Sequence, residues 1–260
     1  MDLHLKNKVF IVTGGGRGIG AGICRLLAEE GALVMIAGRT EADNEKVKAS
    51  ITAANGRAEC FTIELSDPIA CHALIATTID KFGKLDGLIN NAGVNDSVGL
   101  EKGSPEKFVE SLHKNLTHYY NLAHYALSGL KATKGVIVNI GSKVAVTGQG
   151  NTSAYAAAKG GVNALTREWA AELAPYSVRV NTVIPAEVWT PLYEFWVNTL
   201  PNPKEKLQQI TSKIPLEKRF TTTEEIANMV VFLCSNRSSH TTGQIIYVDG
   251  GYTHLDRSLT

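Results

Sequence analysis

The chain has 260 residues, of which 44% are hydrophobic and 20% charged, and its formal net charge is +1. That is enough apolar material for one or two domains, and the near-neutral balance excludes a basic nucleic-acid field and an acidic partner-binding tail. No apolar run reaches the ~18 residues of a membrane span. The start Met1–Lys6 lacks the apolar stretch of a secretion signal, and Cys24, Cys60, Cys71 and Cys234 are scattered without a C-x-x-C, which predicts a cytoplasmic protein with reduced thiols.

Short apolar, β-branched runs alternate with longer helical patterns along the whole chain. The expected order is strand 9–12, helix 20–30, strand 33–37, helix 42–54, strand 58–63, helix 69–82 and strand 87–90. It continues with helix 105–130, strand 136–140, helix 154–173, strand 178–183, helix 223–235 and strand 245–248. Continuously apolar strands suit a parallel sheet buried on both faces. The alternation predicts an α/β fold, a doubly wound parallel sheet of the Rossmann type with about seven strands and helices on both faces. With no repeat, low-complexity tract or linker, the expectation is a single domain. Residues 190–215, rich in proline and aromatic rings, carry no strand pattern and are expected to form an irregular substrate lid.

The first strand leads into Gly14-Gly15-Gly16-Arg17-Gly18-Ile19-Gly20, and a helix follows. A G-x-x-x-G-x-G turn lets the backbone approach a pyrophosphate, and the helix end offers free N–H groups and a positive dipole end. Gly-rich turns also arise for steric reasons alone; the strand before and the helix after favour a dinucleotide site. At the end of the second strand, where an acid would hold the ribose 2′-OH of NAD, the chain has Gly38-Arg39-Thr40. Arg39 can fork onto a 2′-phosphate, with Arg17 as a second cation, so NADP is expected, with NAD as the alternative.

Tyr155 and Lys159 are four apart in a helical stretch and share one face. A free tyrosine, with pKa ~10, is a poor base at neutral pH, and a neighbouring cation is expected to lower it. Tyr-x-x-x-Lys also occurs by chance as a packed ring beside a solvated amine. What gives the pair weight is the ordered series Thr13–Gly20, Asn90–Gly93, Asn115, Ser142, Tyr155–Lys159 and Pro185–Thr190.

With that series the chain resembles the short-chain dehydrogenases/reductases over essentially its whole length. The resemblance implies Tyr155 as general base or acid and Ser142 hydrogen-bonded to the substrate oxygen. It implies Lys159 on the nicotinamide ribose and Asn115 holding a water in a proton relay. It also implies Asp67 near the adenine, Asn91, Ala92 and Gly93 along the cofactor, Pro185, Val188 and Thr190 at the carboxamide, and a homodimer or homotetramer. Ala186 stands where the family usually has glycine. A closer resemblance, to the bacterial L-fucose dehydrogenase branch, is carried by Pro185–Tyr193, Ser239–Gly243 and Gly251–Arg257.

For the substrate, Asn95, Gln149 and Glu187 are expected to meet sugar hydroxyls, and Trp189, Tyr193 and Trp196 to stack on a sugar face or else fill the lid's own core. The tail residues Tyr252, His254, Asp256 and Arg257 read as a solvated terminus by default, whereas the closer resemblance implies that they pack beside a neighbouring subunit's site. The histidines show no metal-ligand spacing, and His113 and His118 fall on different helix faces. The leading expectation is oxidation of an aldose to its lactone, with a small-molecule substrate and neither nucleic acid nor membrane as partner. The alternatives are a carbonyl reductase of 3-oxoacyl, steroid or small ketone substrates, and an NADP-binding sensor.

Overall fold

The computed structural model describes residues 1–256. Its first half runs β1 (Val9–Thr13), α1 (Gly18–Glu29), β2 (Leu33–Gly38), α2 (Glu41–Ala53), β3 (Arg57–Thr62), α3 (Pro68–Phe82) and β4 (Gly87–Asn90). The second half runs α4 (Pro105–Leu112), α5 (His118–Thr133), β5 (Val136–Ile140), α6 (Ser153–Leu173), β6 (Arg179–Pro185), α7 (Pro191–Asn198), α8 (Pro203–Thr211), α9 (Thr223–Cys234) and β7 (Ile245–Val248).

All seven strands pair in parallel, in the order β3-β2-β1-β4-β5-β6-β7. β1 shows why both faces are covered: Phe10 and Val12 join one apolar cluster and Val9 and Ile11 the other, as period-two alternation requires. The first cluster is closed by α1, α2 and α9, through Ile23, Leu27, Val47, Ile226 and Val230. The second is closed by α3, α5 and α6, through Leu74, Tyr119, Leu122, Val162 and Trp169. The chain reverses its direction of winding between β1 and β4, and such a switch point opens a crevice at the carboxyl ends of the strands.

Helix starts follow local chemistry. Asp67, Ser104 and Thr190 each accept a backbone N–H at an N-cap, with proline next in sequence. Thr222 and Glu225 form a reciprocal capping box on α9.

Two expectations need correction. The helix expected over 105–130 is α4, a π-helical turn over His113–Thr117, and α5. Hydrophobic spacing reads straight through such a turn, because both sides remain helical. The segment 190–215 is not irregular, since it holds α7 and α8. Proline opens each of them, and Asn202, at φ 54°, turns the chain between them. Short helices of this kind have too few turns for periodicity to reveal them. Among the described residues no helix is long and apolar enough to cross a membrane.

Candidate active site

A cleft of about 820 Å³ lies over the carboxyl ends of the strands and is lined by the loops after β1 to β6. Its phosphate end is the glycine turn. Gly14, Gly16, Arg17, Gly18 and Ile19 face the cleft. Gly20 sits behind them, where a methyl group would collide with the Gly14 carbonyl. No side chain caps α1 and its first turn carries no acid, so its leading N–H groups are open to an anion. This bare, backbone-lined cradle fits a dinucleotide pyrophosphate. Thr13 ties it to the next loop: its hydroxyl accepts from the N–H groups of Asn91 (2.9 Å) and Ala92 (3.1 Å), while Asn91 Nδ2 donates to the Thr13 carbonyl (2.8 Å).

At the far end Arg39, Thr40, Asp43 and Asn44 line the cleft with Ile63, Glu64, Leu65 and Ser66. Here the structure changes three details. Arg17 pairs with Asp43 at 2.5 Å, so its charge is already answered, and Asp43 is an acid that the strand-end reading overlooked because it sits in the first turn of α2. Arg39 is exposed and lines the cleft without an ion pair among the described residues. Asp67 spends its carboxylate on Ile69 N–H (2.8 Å) as the cap of α3 and lies off the cleft wall, which Glu64–Ser66 form instead.

At the opposite end, Asn91, Ala92, Gly93, Ser142, Tyr155, Lys159, Pro185, Val188 and Thr190 converge. The loop after β6 is pinned by Trp189 N–H to Thr221 O (3.1 Å) and Thr221 N–H to Glu187 O (3.0 Å), so Ala186 leaves the loop closed onto the wall. Ser142 follows β5 and shares this wall with Tyr155 on α6, while its hydroxyl accepts from Val144 N–H. Lys159, 2% exposed, does not touch the Tyr155 hydroxyl. Its Nζ donates to Tyr119 Oη (3.0 Å) and the Ile140 carbonyl (2.8 Å), and lies 5.7 Å from the Tyr155 ring centre.

The electrostatics reverse the expectation for Tyr155. Burial pushes its phenol up to about 12, opposed by the Ser142 hydroxyl. Burial pushes the Lys159 ammonium down to about 7. Desolvation wins because no carboxylate offsets it. Asn115 is fully buried in the π-helical turn: Oδ1 accepts from Val94 N–H (2.7 Å) and Nδ2 donates to Ser111 O (3.0 Å). Its side chain locks the cleft wall. His118 also reaches the cleft, which spacing did not suggest; burial and the Lys159 charge hold it neutral, down at about 3.

Of the six expected substrate residues, only Tyr193 lines the cleft. Asn95 and Gln149 are exposed and off the wall. Glu187 is committed to a close ion pair with Lys143 and to Tyr193 Oη (2.9 Å), so it is not a free acceptor. Trp189, Tyr193, Trp196 and Phe220 pack ring on ring at 5.1–6.2 Å, and both tryptophans stay exposed at the edge of this cluster, off the cleft wall. Leu192 and Phe195, not singled out by sequence, join Tyr193 on the cleft. The tail returns to this lid: Lys143 Nζ sits 4.1 Å over the Tyr252 ring, and His254 meets Tyr247 edge-on. Arg257 lies outside the described residues. Among the described residues no group of three or more His, Cys, Asp or Glu is placed to hold a metal ion.

The family model for enoyl-(acyl carrier protein) reductases matches residues 14–253. L-fucose dehydrogenase of Bos taurus is 36% identical over 252 residues, covering 96% of this chain and 91% of the relative. The 3-oxoacyl-[acyl-carrier-protein] reductase FabG of Thermotoga maritima is 32% identical over 250 residues, covering 96% and 99%. The crystal structure of Cj0485 dehydrogenase superposes with a TM-score of 0.95 at 46% identity, covering 100% of this chain and 99% of that one. The chain therefore belongs to the short-chain dehydrogenase/reductase family. It is an oxidoreductase acting on CH–OH groups in a family that works with NAD or NADP, and a purely sensing role falls away.

Proposed function

We propose that this enzyme oxidises an aldose of the L-fucose type at its anomeric hydroxyl, giving the lactone, with Ser142, Tyr155, Lys159 and Asn115 as its working residues. The observation that carries the reading is the convergence of Ser142, Tyr155 and Lys159 on the wall of a cleft whose other end is the bare glycine cradle. Bound there, the oxidised nicotinamide supplies the hydride acceptor and a positive charge.

The chain's residues do the rest. Ser142 donates its one hydroxyl hydrogen to the substrate oxygen and so orients it beside the phenol. Tyr155 takes the hydroxyl proton as general base and returns it when the reaction runs as a reduction. A phenol held at about 12 by burial needs cationic help, and the Lys159 ammonium is the protein's own cation at this wall. Asn115 keeps the cleft wall in register behind Val94. Gly14, Gly18 and Ile19 hold the pyrophosphate, and Asn91–Gly93, Pro185, Val188 and Thr190 hold the nicotinamide half. Arg39 takes a 2′-phosphate, which supports NADP; with Arg17 answered by Asp43 the preference rests on Arg39 alone, and NAD is the alternative. The enzyme acts as a single domain with 190–215 as its lid, in the cytoplasm, as a homotetramer or homodimer.

The aldose reading draws on relatives named L-fucose dehydrogenase. A second reading, reduction of a 3-oxoacyl or related ketone, is favoured by the FabG relatives. A screen following absorbance of the reduced nicotinamide, with NAD and NADP against L-fucose, L-galactose, D-arabinose, a 3-oxoacyl thioester and a steroid ketone, decides between them. Turnover of the aldoses is expected; turnover of the ketones alone would overturn the aldose reading.

A further inference from the structure

Tyr119 is a fully buried titratable group that the chemistry above does not use. It is the largest side chain with no exposure, and its ring packs among Leu122, Val162 and the β5 core. Its hydroxyl emerges at the carboxyl end of β5, 3.2 Å from the Ile140 carbonyl and 3.0 Å from Lys159 Nζ. The donors and acceptors balance in one way. The phenol hydrogen goes to the Ile140 carbonyl, a phenol lone pair accepts from the ammonium, and the second Ile140 lone pair accepts from the ammonium at 2.8 Å. Two of the three ammonium hydrogens are thereby held by fixed, neutral oxygens, and the third remains for the cleft that Lys159 lines.

We infer that Tyr119 is a positioning residue for Lys159: its hydroxyl aims the ammonium into the cleft and helps decide whether that amine is charged. The inference rests on the reading of Tyr155 and Lys159 as the proton-transfer pair.

The surroundings explain why one hydroxyl matters. No carboxylate forms an ion pair with Lys159 among the described residues, and burial is the influence that dominates its amine. The titratable groups facing it are the Tyr155 phenol on its own helix and, on α5, the Tyr119 phenol and the His118 ring. None of these is anionic at neutral pH, since burial raises both phenols and keeps His118 uncharged. The charged form therefore depends on hydrogen-bond acceptors, and Tyr119 supplies one of two. His118 braces it edge-to-face at 4.7 Å, with its Nε2 against the Lys114 carbonyl at 3.0 Å.

Tyr119→Phe keeps the ring and removes the oxygen. In protein labelled at lysine Cε, with the Lys159 signal identified by its loss in Lys159→Met, the wild-type midpoint is expected near 7. In Tyr119→Phe it should fall by about one pH unit, the worth of one hydrogen bond to a charge. This readout needs neither cofactor nor turnover. In turnover, kcat should drop about 10-fold with KM for the substrate nearly unchanged, and the acidic limb of oxidation should move to higher pH, because a less charged Lys159 supports the phenolate less. A thermal midpoint close to wild type establishes that the variant is folded. An unmoved Lys159 midpoint in the folded variant would overturn the inference and leave Tyr119 as packing. Full activity in Tyr155→Phe would instead overturn the base assignment, whatever Tyr119→Phe does to the lysine.

Discussion

The two walls of the cleft are built on different principles. The floor, from the glycine turn through Asn91 and Ser142 to Tyr155 and Lys159, consists of strand ends and the start of a long helix. Its side chains are buried or half-buried and several of its polar groups are tied to backbone: Thr13 to two amides, Asn115 to Val94 and Ser111, Lys159 to Ile140. The opposite wall is α7, reached through a loop that two backbone bonds pin to Thr221; α7 itself is held through side chains, an aromatic cluster and the Tyr193–Glu187 hydrogen bond, and it exposes Leu192 and Phe195. Backbone-anchored groups hold positions to the tolerance that proton transfer demands, whereas a side-chain-held lid can shift to admit a substrate. Chemistry thus sits on the rigid wall and selectivity on the adaptable one.

The sharpest way to break this division is Tyr155→Phe. It should lower kcat/KM by about 10²–10⁴-fold while dinucleotide binding, followed by fluorescence titration, stays near wild type. Substantial remaining turnover would move the chemistry elsewhere in the cleft. Next comes Lys143→Met, which leaves the half-buried Glu187 carboxylate without its cation. About 3 kcal/mol of stability should be lost in urea unfolding, with KM rising more than kcat falls. If kcat alone fell, the lid wall would be part of the chemistry and the comparison would fail.

Arg39→Asp should turn the ratio of kcat/KM for NADP over NAD by about 10-fold or more towards NAD, through loss of a cation and gain of a repelling acid. An unchanged ratio would mean that Arg39 is only a solvated charge. The smallest effect concerns the rigid wall's cost. Lys159 is depressed from 10.5 to about 7 on folding, so the folded state binds fewer protons than the unfolded one across that window, and stability gains from the amine as pH rises from about 7 towards 10.5. Lys159→Met removes this linkage. The variant should be more stable than wild type by a few degrees near pH 6.5, and the gap should narrow by pH 9 in parallel thermal melts.

How much of this was legible in sequence differs between the walls. Motif order placed Tyr155, Ser142 and the glycine turn correctly on one cleft, because strand ends and helix starts are set by local pattern. The aromatic residues of 190–215 were legible as a group but not in their roles: which ring faces a ligand and which faces its neighbours depends on α7 and α8 folding back, and no spacing rule records that. Asp67 illustrates the same limit in one residue, since a carboxylate before proline reads equally as ligand contact and as cap, and only its distance from the cleft separates them.

By itself the amino-acid sequence determined the α/β alternation, the parallel sheet and the residues from which a dehydrogenase of this family is built. Each of these follows from periodicity, turn chemistry or motif order along a short stretch of chain. Tertiary structure alone decided that Arg17 is answered by Asp43, that Glu187 is spent on Lys143, and that burial raises the Tyr155 phenol against expectation and lowers the Lys159 ammonium. It alone brought Tyr119 to the lysine, across 40 residues of chain. Those outcomes turn on which groups lose water together and which distant partners they meet, and both are fixed only when the elements pack.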